Sequence, residues 1–118
     1  MFRILQIAQF WLCSVATTFL SVVPPGGSVD LLISDKLVHL IGYCLLFVSC
    51  EIAYPKRNIW AKLLFVLSFS ILIEIIQYFL PYREFSLLDI VANLVGVGLG
   101  GLLLVTYKRI RPLFFCCK

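Results

Sequence analysis

The sequence predicts an all-α membrane protein, a bundle of four transmembrane helices, and three observations predict it. First, 62% of the 118 residues are hydrophobic, 14% are charged and the mean hydropathy is +1.05, against roughly 45–50% apolar and about 25% charged residues in soluble domains. A soluble chain of this length buries only about two-thirds of its surface, so this composition would leave large apolar patches in water. Second, the apolar residues form long continuous runs, not the alternating segments of about ten residues that mark a membrane β-barrel. Third, at about 20 residues per span the length accommodates four helices and little else, so residues 1–118 are expected to form a single domain. There is no internal repeat and no low-complexity segment.

The first apolar run, Ile4 to Val23, ends at Pro24-Pro25-Gly26-Gly27, a strong helix breaker that opens the longest loop, reaching Asp35. The run is longer than the apolar part of a signal peptide and lacks a small-x-small cleavage site, so an uncleaved helix is expected. The second run, Leu37 to Ala53, stops at the polar turn Tyr54-Pro55-Lys56-Arg57-Asn58. The third extends from Ile59 to Leu80, ahead of Pro81, and the fourth from Ser86 to Tyr107. Lys108-Arg109-Ile110-Arg111 follows as a stop-transfer and topology signal. Of the five cysteines, Cys13, Cys44 and Cys50 lie in apolar runs and Cys116-Cys117 near the end, beside Phe114-Phe115. Their spacing gives neither a disulfide framework nor a zinc motif.

Net charge is +4, and the placement of the basic residues argues for topology, not for nucleic acid. Arg3, Lys56, Arg57, Lys62, Lys108, Arg109, Arg111 and Lys118 fall on one side, with Lys36 and Arg83 on the other. The positive-inside rule then places both termini and the 54–58 turn in the cytoplasm, and the 24–35 and 81–86 loops outside. The acidic residues are distributed oppositely, with Asp30, Asp35, Glu74, Glu84 and Asp89 towards the outer side and Glu51 near the inner boundary. Acidic residues contribute little to orientation, so this asymmetry points to an outward-facing polar site.

Helical spacing arranges that site. Asp35, His39, Gly42, Leu46 and Ser49 share one face of the second helix; Ser70, Glu74, Gln77 and Pro81 one face of the third; Asp89, Asn93, Gly96 and Gly100 one face of the fourth. Ionisable residues in a span face a protein interior or a water-filled cavity, because lipid exposure costs about 2.5–3.5 kcal/mol each near the bilayer centre. Asp35, His39, Glu74, Gln77, Asp89 and Asn93 are therefore expected to converge in one pocket, with Lys36 and Arg83 at its rim. Arg83 is expected to pair with a carboxylate, Asp89 first among them, and to keep donors free for an anionic group. The competing expectation is a polar network that only holds the bundle together. Gly96-x-x-x-Gly100 allows close helix approach, and packing inside the bundle is favoured over homodimerisation, which would compete with burying Asn93 and Asp89.

Three strings carry a resemblance: Asp35-Lys36-Leu37-Val38-His39, Glu74 through Ser86, and Asp89 through Gly96. Their pattern, D-K-x-x-H, E-x-x-Q-x-x-x-P-x-R-x-x-S-x-x-D-x-x-x-N-x-x-G, is similar to that of the VanZ-like family of small bacterial membrane proteins over about residues 30–105. Tyr82 departs from it, standing where glycine is frequent before the arginine. The resemblance implies a multi-pass protein of the bacterial cytoplasmic membrane acting at its outer face on the cell envelope, with an effect on glycopeptide (teicoplanin) susceptibility. The motif residues it carries over are Asp35, Lys36, His39, Glu74, Gln77, Arg83, Ser86, Asp89, Asn93 and Gly96.

Three functions compete. A binding site would take a membrane lipid headgroup, a lipid-linked cell-wall intermediate or a glycopeptide, with Lys36 and Arg83 meeting phosphate or carboxylate, and Gln77 and Asn93 giving directional hydrogen bonds. An intramembrane enzyme would use Glu74 and Asp89 as general acid and base with His39 as relay, although no nucleophile elbow, P-loop or zinc motif accompanies them. A structural network would bind nothing. The Asp35-x-x-x-His39 spacing is compatible with metal ligation together with Glu74 and Asp89, but Lys36 and Arg83 argue against a closed cation cage. No metal, cofactor or nucleic acid is expected, and the sequence leaves the oligomeric state open.

Overall fold

The computed structural model describes residues 1–24 and 35–115, with side chains through Pro112. Four helices follow in order, α1 (Phe2–Val22), α2 (Asp35–Ala53), α3 (Ile59–Tyr78) and α4 (Leu87–Phe115), and no strand occurs among the described residues. All four are long and apolar enough to cross a membrane. Residues 25–34, with Asp30, the side chains of Phe114 and Phe115, and Cys116, Cys117 and Lys118 lie outside what the structure describes.

Local chemistry sets the boundaries. Asn58 caps α3, its side-chain oxygen accepting the Trp60 amide at 3.1 Å. At the other end of α3 the Phe79 and Leu80 amides bond back to the Ile76 and Gln77 carbonyls, and the Arg83 amide closes a turn onto Leu80 across Pro81. The helix ends two residues before the expected Leu80, because Pro81 disfavours helical backbone in the residue ahead of it. α4 continues eight residues beyond the expected Tyr107. Lys108, Arg109 and Arg111 are good helix formers, and charge marks the edge of the membrane without breaking a helix. At 1.5 Å per residue α4 spans about 43 Å, so its final turns overhang a hydrocarbon core of about 30 Å.

α2 is the central element: it packs most extensively on α4, then on α1, and also touches α3, while α1 and α4 do not meet. The core cluster of Phe10, Tyr43, Leu46, Phe47, Cys50, Ala53, Val66 and Val97 fills the space around α2. Leu12, Leu64, Leu102 and many other apolar side chains are exposed, as expected of a surface solvated by acyl chains. Contacts at the two ends fix the helix directions. Ser21 meets Gln77 at one end and Glu51 meets Lys62 and Lys108 at the other, so α2 and α4 run parallel and antiparallel to α1 and α3.

Parallel α2 and α4 approach closely enough for backbone contact. A Cβ on Gly96 would lie 2.3 Å from the Leu40 carbonyl oxygen, and one on Gly100 2.8 Å from that of Cys44. These two glycines therefore sit between the helices of one chain, and their missing side chains bring the first turns of α2 and α4 together. The N-terminal residues Asp35 and Asp89 become neighbours as a result. Both carboxylates also sit at the positive end of a helix dipole.

Candidate functional site

The polar end of the bundle is assembled from the first turns of α2 and α4, the last turns of α1 and α3, and the 79–86 connection. His39, Ser70, Glu74, Gln77, Asp89 and Asn93 are all buried there, with Glu74 and Asn93 at 0% exposure. None of them faces lipid. The imidazole Nδ1 of His39 lies 3.0 Å from Asn93 Oδ1, and Asn93 Nδ2 donates to Ser70 Oγ at 2.7 Å. This chain of bonds links the second turns of α2 and α4 to the middle of α3. Because the Asn93 carbonyl oxygen is an acceptor, the proton of neutral His39 sits on Nδ1 and leaves a lone pair on Nε2. Nε2 is buried without a hydrogen-bond partner, 4.0 Å from Asp35 Oδ2. The Tyr43 ring, one turn along α2, stacks parallel to the imidazole with centroids 6.5 Å apart and supports that orientation.

Arg83 does not pair with Asp89. Its Nη1 donates to Asp35 Oδ1 at 2.9 Å, while Nη2 reaches the Leu20 and Val23 carbonyls at 3.4 and 3.2 Å. The guanidinium is therefore committed to the start of α2 and the end of α1, with a side chain only 10% exposed. The reason is topological. The turn across Pro81 leaves Arg83 on the α1 side of the bundle, where helix-end carbonyls lack intrahelical donors. Asp89 faces Lys36 instead, at 4.0 Å, and the Lys36 side chain is 52% exposed.

Gln77 donates to the Ser21 carbonyl at 2.8 Å, tying α3 to α1. Ser86 is half-buried at the head of α4, where its carbonyl accepts the Asp89 amide. No side-chain partner hydrogen-bonds the Glu74 carboxylate; the Ser86 backbone amide and the charged groups of Asp89, Asp35 and Arg83 are close enough to act on it. A small cavity of about 30 Å³, lined by Thr17, Leu20, Ser21, Val38, His39 and Gly42, lies between the site and α1. It has room for about one water. Asp35, His39 and Asp89 each present a ligand atom within 4.8 Å of the others, a set capable of holding a metal ion.

The sequence profile of the VanZ/LLP1 family matches residues 3–109. The chain belongs to that family. An uncharacterized protein of the fission yeast Schizosaccharomyces pombe is 30% identical over 109 residues, which cover 89% of this chain and 65% of the yeast protein. The chain thus spans just under two-thirds of that relative. No solved structure matches.

The VanZ/LLP1 match extends over α1, beyond the 30–105 core expected from the motifs. The structure gives α1 a part in the site, since its last turn supplies the carbonyls that hold Arg83 and Gln77. Its buried Ser14, Thr17 and Ser21 follow helical spacing, a signal present in the sequence but weak beside carboxylates. At the opposite end lies a second charged cluster. Glu51 accepts Lys62 and, at 2.7 Å, Lys108, with the Lys62 side chain only 4% exposed. Sequence reading treated Lys62 and Lys108 as topology charges and missed the cluster, because the partners are 11 and 57 residues apart in the chain.

Proposed function

We propose that this VanZ/LLP1 chain binds the anionic headgroup of an envelope lipid, such as a lipid-linked cell-wall intermediate, at its polar end. In this reading the chain lies in a bacterial cytoplasmic membrane with that end outward, and occupancy alters glycopeptide (teicoplanin) susceptibility. One observation carries the proposal: Lys36, half exposed and held to Asp89 at only 4.0 Å, stands over a buried floor of hydrogen-bonded His39 and Asn93. A flexible ammonium of this kind can turn to an incoming phosphate at little cost. Arg83, its Nη1 and Nη2 engaged by Asp35 and the end of α1 and its Nε buried, serves as the clamp that keeps the floor in place and not as the first anion contact.

The test is titration of the detergent-purified chain with a short isoprenyl pyrophosphate, with the matching isoprenol as control. Binding of the pyrophosphate but not the alcohol is expected, weakened about tenfold in Lys36→Gln, a loss of about 1.4 kcal/mol. The melting temperature of that variant should stay near wild type. Arg83→Lys, which keeps the charge but loses the planar fork, should lower the melting temperature instead. Equal binding of alcohol and pyrophosphate, or full binding by Lys36→Gln, overturns the reading.

A further inference from the structure

We propose that Asp35, His39 and Asp89 form a binding site for one divalent transition-metal ion of the Zn²⁺ or Mn²⁺ class. A carboxylate cluster alone would not carry this, since acidic residues gather at many surfaces without a cation. Here two buried ligand atoms themselves lack hydrogen bonds and have only a charged group 4.0 Å away. The His39 side chain is 2% exposed and its Nε2 has no hydrogen bond; the Asp89 side chain is 7% exposed and its Oδ1 has none. Leaving such groups unmade is expensive, and a cation satisfies both at once. The tautomer is also correct for ligation. The Nδ1–H of His39 is held by Asn93 Oδ1, itself held through its amide on Ser70, so the Nε2 lone pair points out of the network towards Asp35. Metal-bound histidines characteristically have their second nitrogen held in this way.

The spacing is suitable. The three ligand atoms lie within 4.8 Å of one another, and tetrahedral metal bonds of about 2.0–2.2 Å place paired ligands about 3.3–3.6 Å apart, so the widest pair must close by up to about 1.4 Å, within the reach of a side-chain rotation. Asp35, half exposed at the start of α2 and held by Arg83 through Oδ1 alone, supplies it by turning Oδ2 towards the imidazole. The nearby cations do not close the site. Arg83 occupies Oδ1 of Asp35 and leaves Oδ2 facing the imidazole, so the carboxylate spans guanidinium and metal. Lys36 does compete, standing 4.0 Å from the unpartnered Asp89 oxygen, but its side chain is 52% exposed and a metal displaces it into solvent. Among the described residues the buried carboxylates Glu74 and Asp89 and the half-exposed Asp35 gather near Lys36 and Arg83, and the mixed imidazole and carboxylate set suits transition metals.

The experiment uses the full chain in detergent, stripped with chelator and titrated separately with Zn²⁺ and Mn²⁺, reading heat and melting temperature. One ion per chain and a rise in melting temperature are expected. The chain has a single histidine, so its imidazole ¹⁵N signals report the site in the unmodified protein: Zn²⁺ should move Nε2 while Nδ1 stays protonated. His39→Gln and Asp89→Asn should each weaken binding at least 100-fold. Asn93→Leu, which frees the imidazole without removing a ligand, should cost about 10- to 100-fold. Lys36→Met removes the competing charge and should bind metal several-fold more tightly while binding the pyrophosphate about tenfold more weakly, so the cation site and the headgroup reading fail separately. An unmoved Nε2 signal, or metal binding that survives both His39→Gln and Asp89→Asn, overturns the proposal.

Discussion

Glu51 and Lys62 show how much a single side chain can cost when its partner is removed. Lys62 is buried beside Glu51, and the carboxylate also holds the exposed Lys108. Glu51→Gln leaves an ammonium in an apolar setting without a countercharge and should destabilise the fold by about 3 kcal/mol, whereas Lys108→Gln should cost less than about 1 kcal/mol. The double variant Glu51→Gln, Lys62→Met should recover most of the loss, because no charge is then stranded; unfolding in mixed micelles measures all three. Residues of this kind set the limit of what was legible in the sequence. Asp35, His39, Asp89 and Asn93 were readable because helical period alone puts each on a face that must avoid lipid. The partner of Arg83 was not, since it depends on how the turn across Pro81 enters the bundle, and the pairing of Glu51 with Lys62 depends on how α2 and α3 pack.

At the scale of the element, the decisive contact is the α2–α4 seam. A side chain at Gly96 or Gly100 would meet backbone carbonyls, which cannot rotate aside as a flexible side chain would, while Gly98 has nothing within 4 Å. Gly96→Leu should therefore destabilise by about 3 kcal/mol or more, and Gly100→Ala by about 1–2 kcal/mol, with Gly98→Ala neutral. Comparing the three melting temperatures checks this directly, and loss of metal or pyrophosphate binding should follow the first two. Helix existence was fully legible from apolar runs and breakers. The extension of α4 to Phe115 was not, because hydropathy marks where lipid ends and says little about where a helix ends.

For the whole molecule, the positive-inside distribution sets an orientation that accessibility can test. In a cysteine-free background, Arg57→Cys should react with an impermeant maleimide only after permeabilisation, and Glu84→Cys in intact cells; the reverse would invert the bundle and point the polar end inward. The polar end also bears on how the chain is made. His39 and Asn93 are 54 residues apart and bond to one another, so at about 5–20 residues per second their synthesis is separated by roughly 3–10 s. During that interval α2 carries an aspartate, a lysine and an imidazole whose partners Arg83, Asp89 and Asn93 do not yet exist. A helix in that condition partitions poorly into lipid by itself. It is expected to wait at the lateral exit of the insertion machinery and to leave together with α4, which makes release into the bilayer a paired event late in translation.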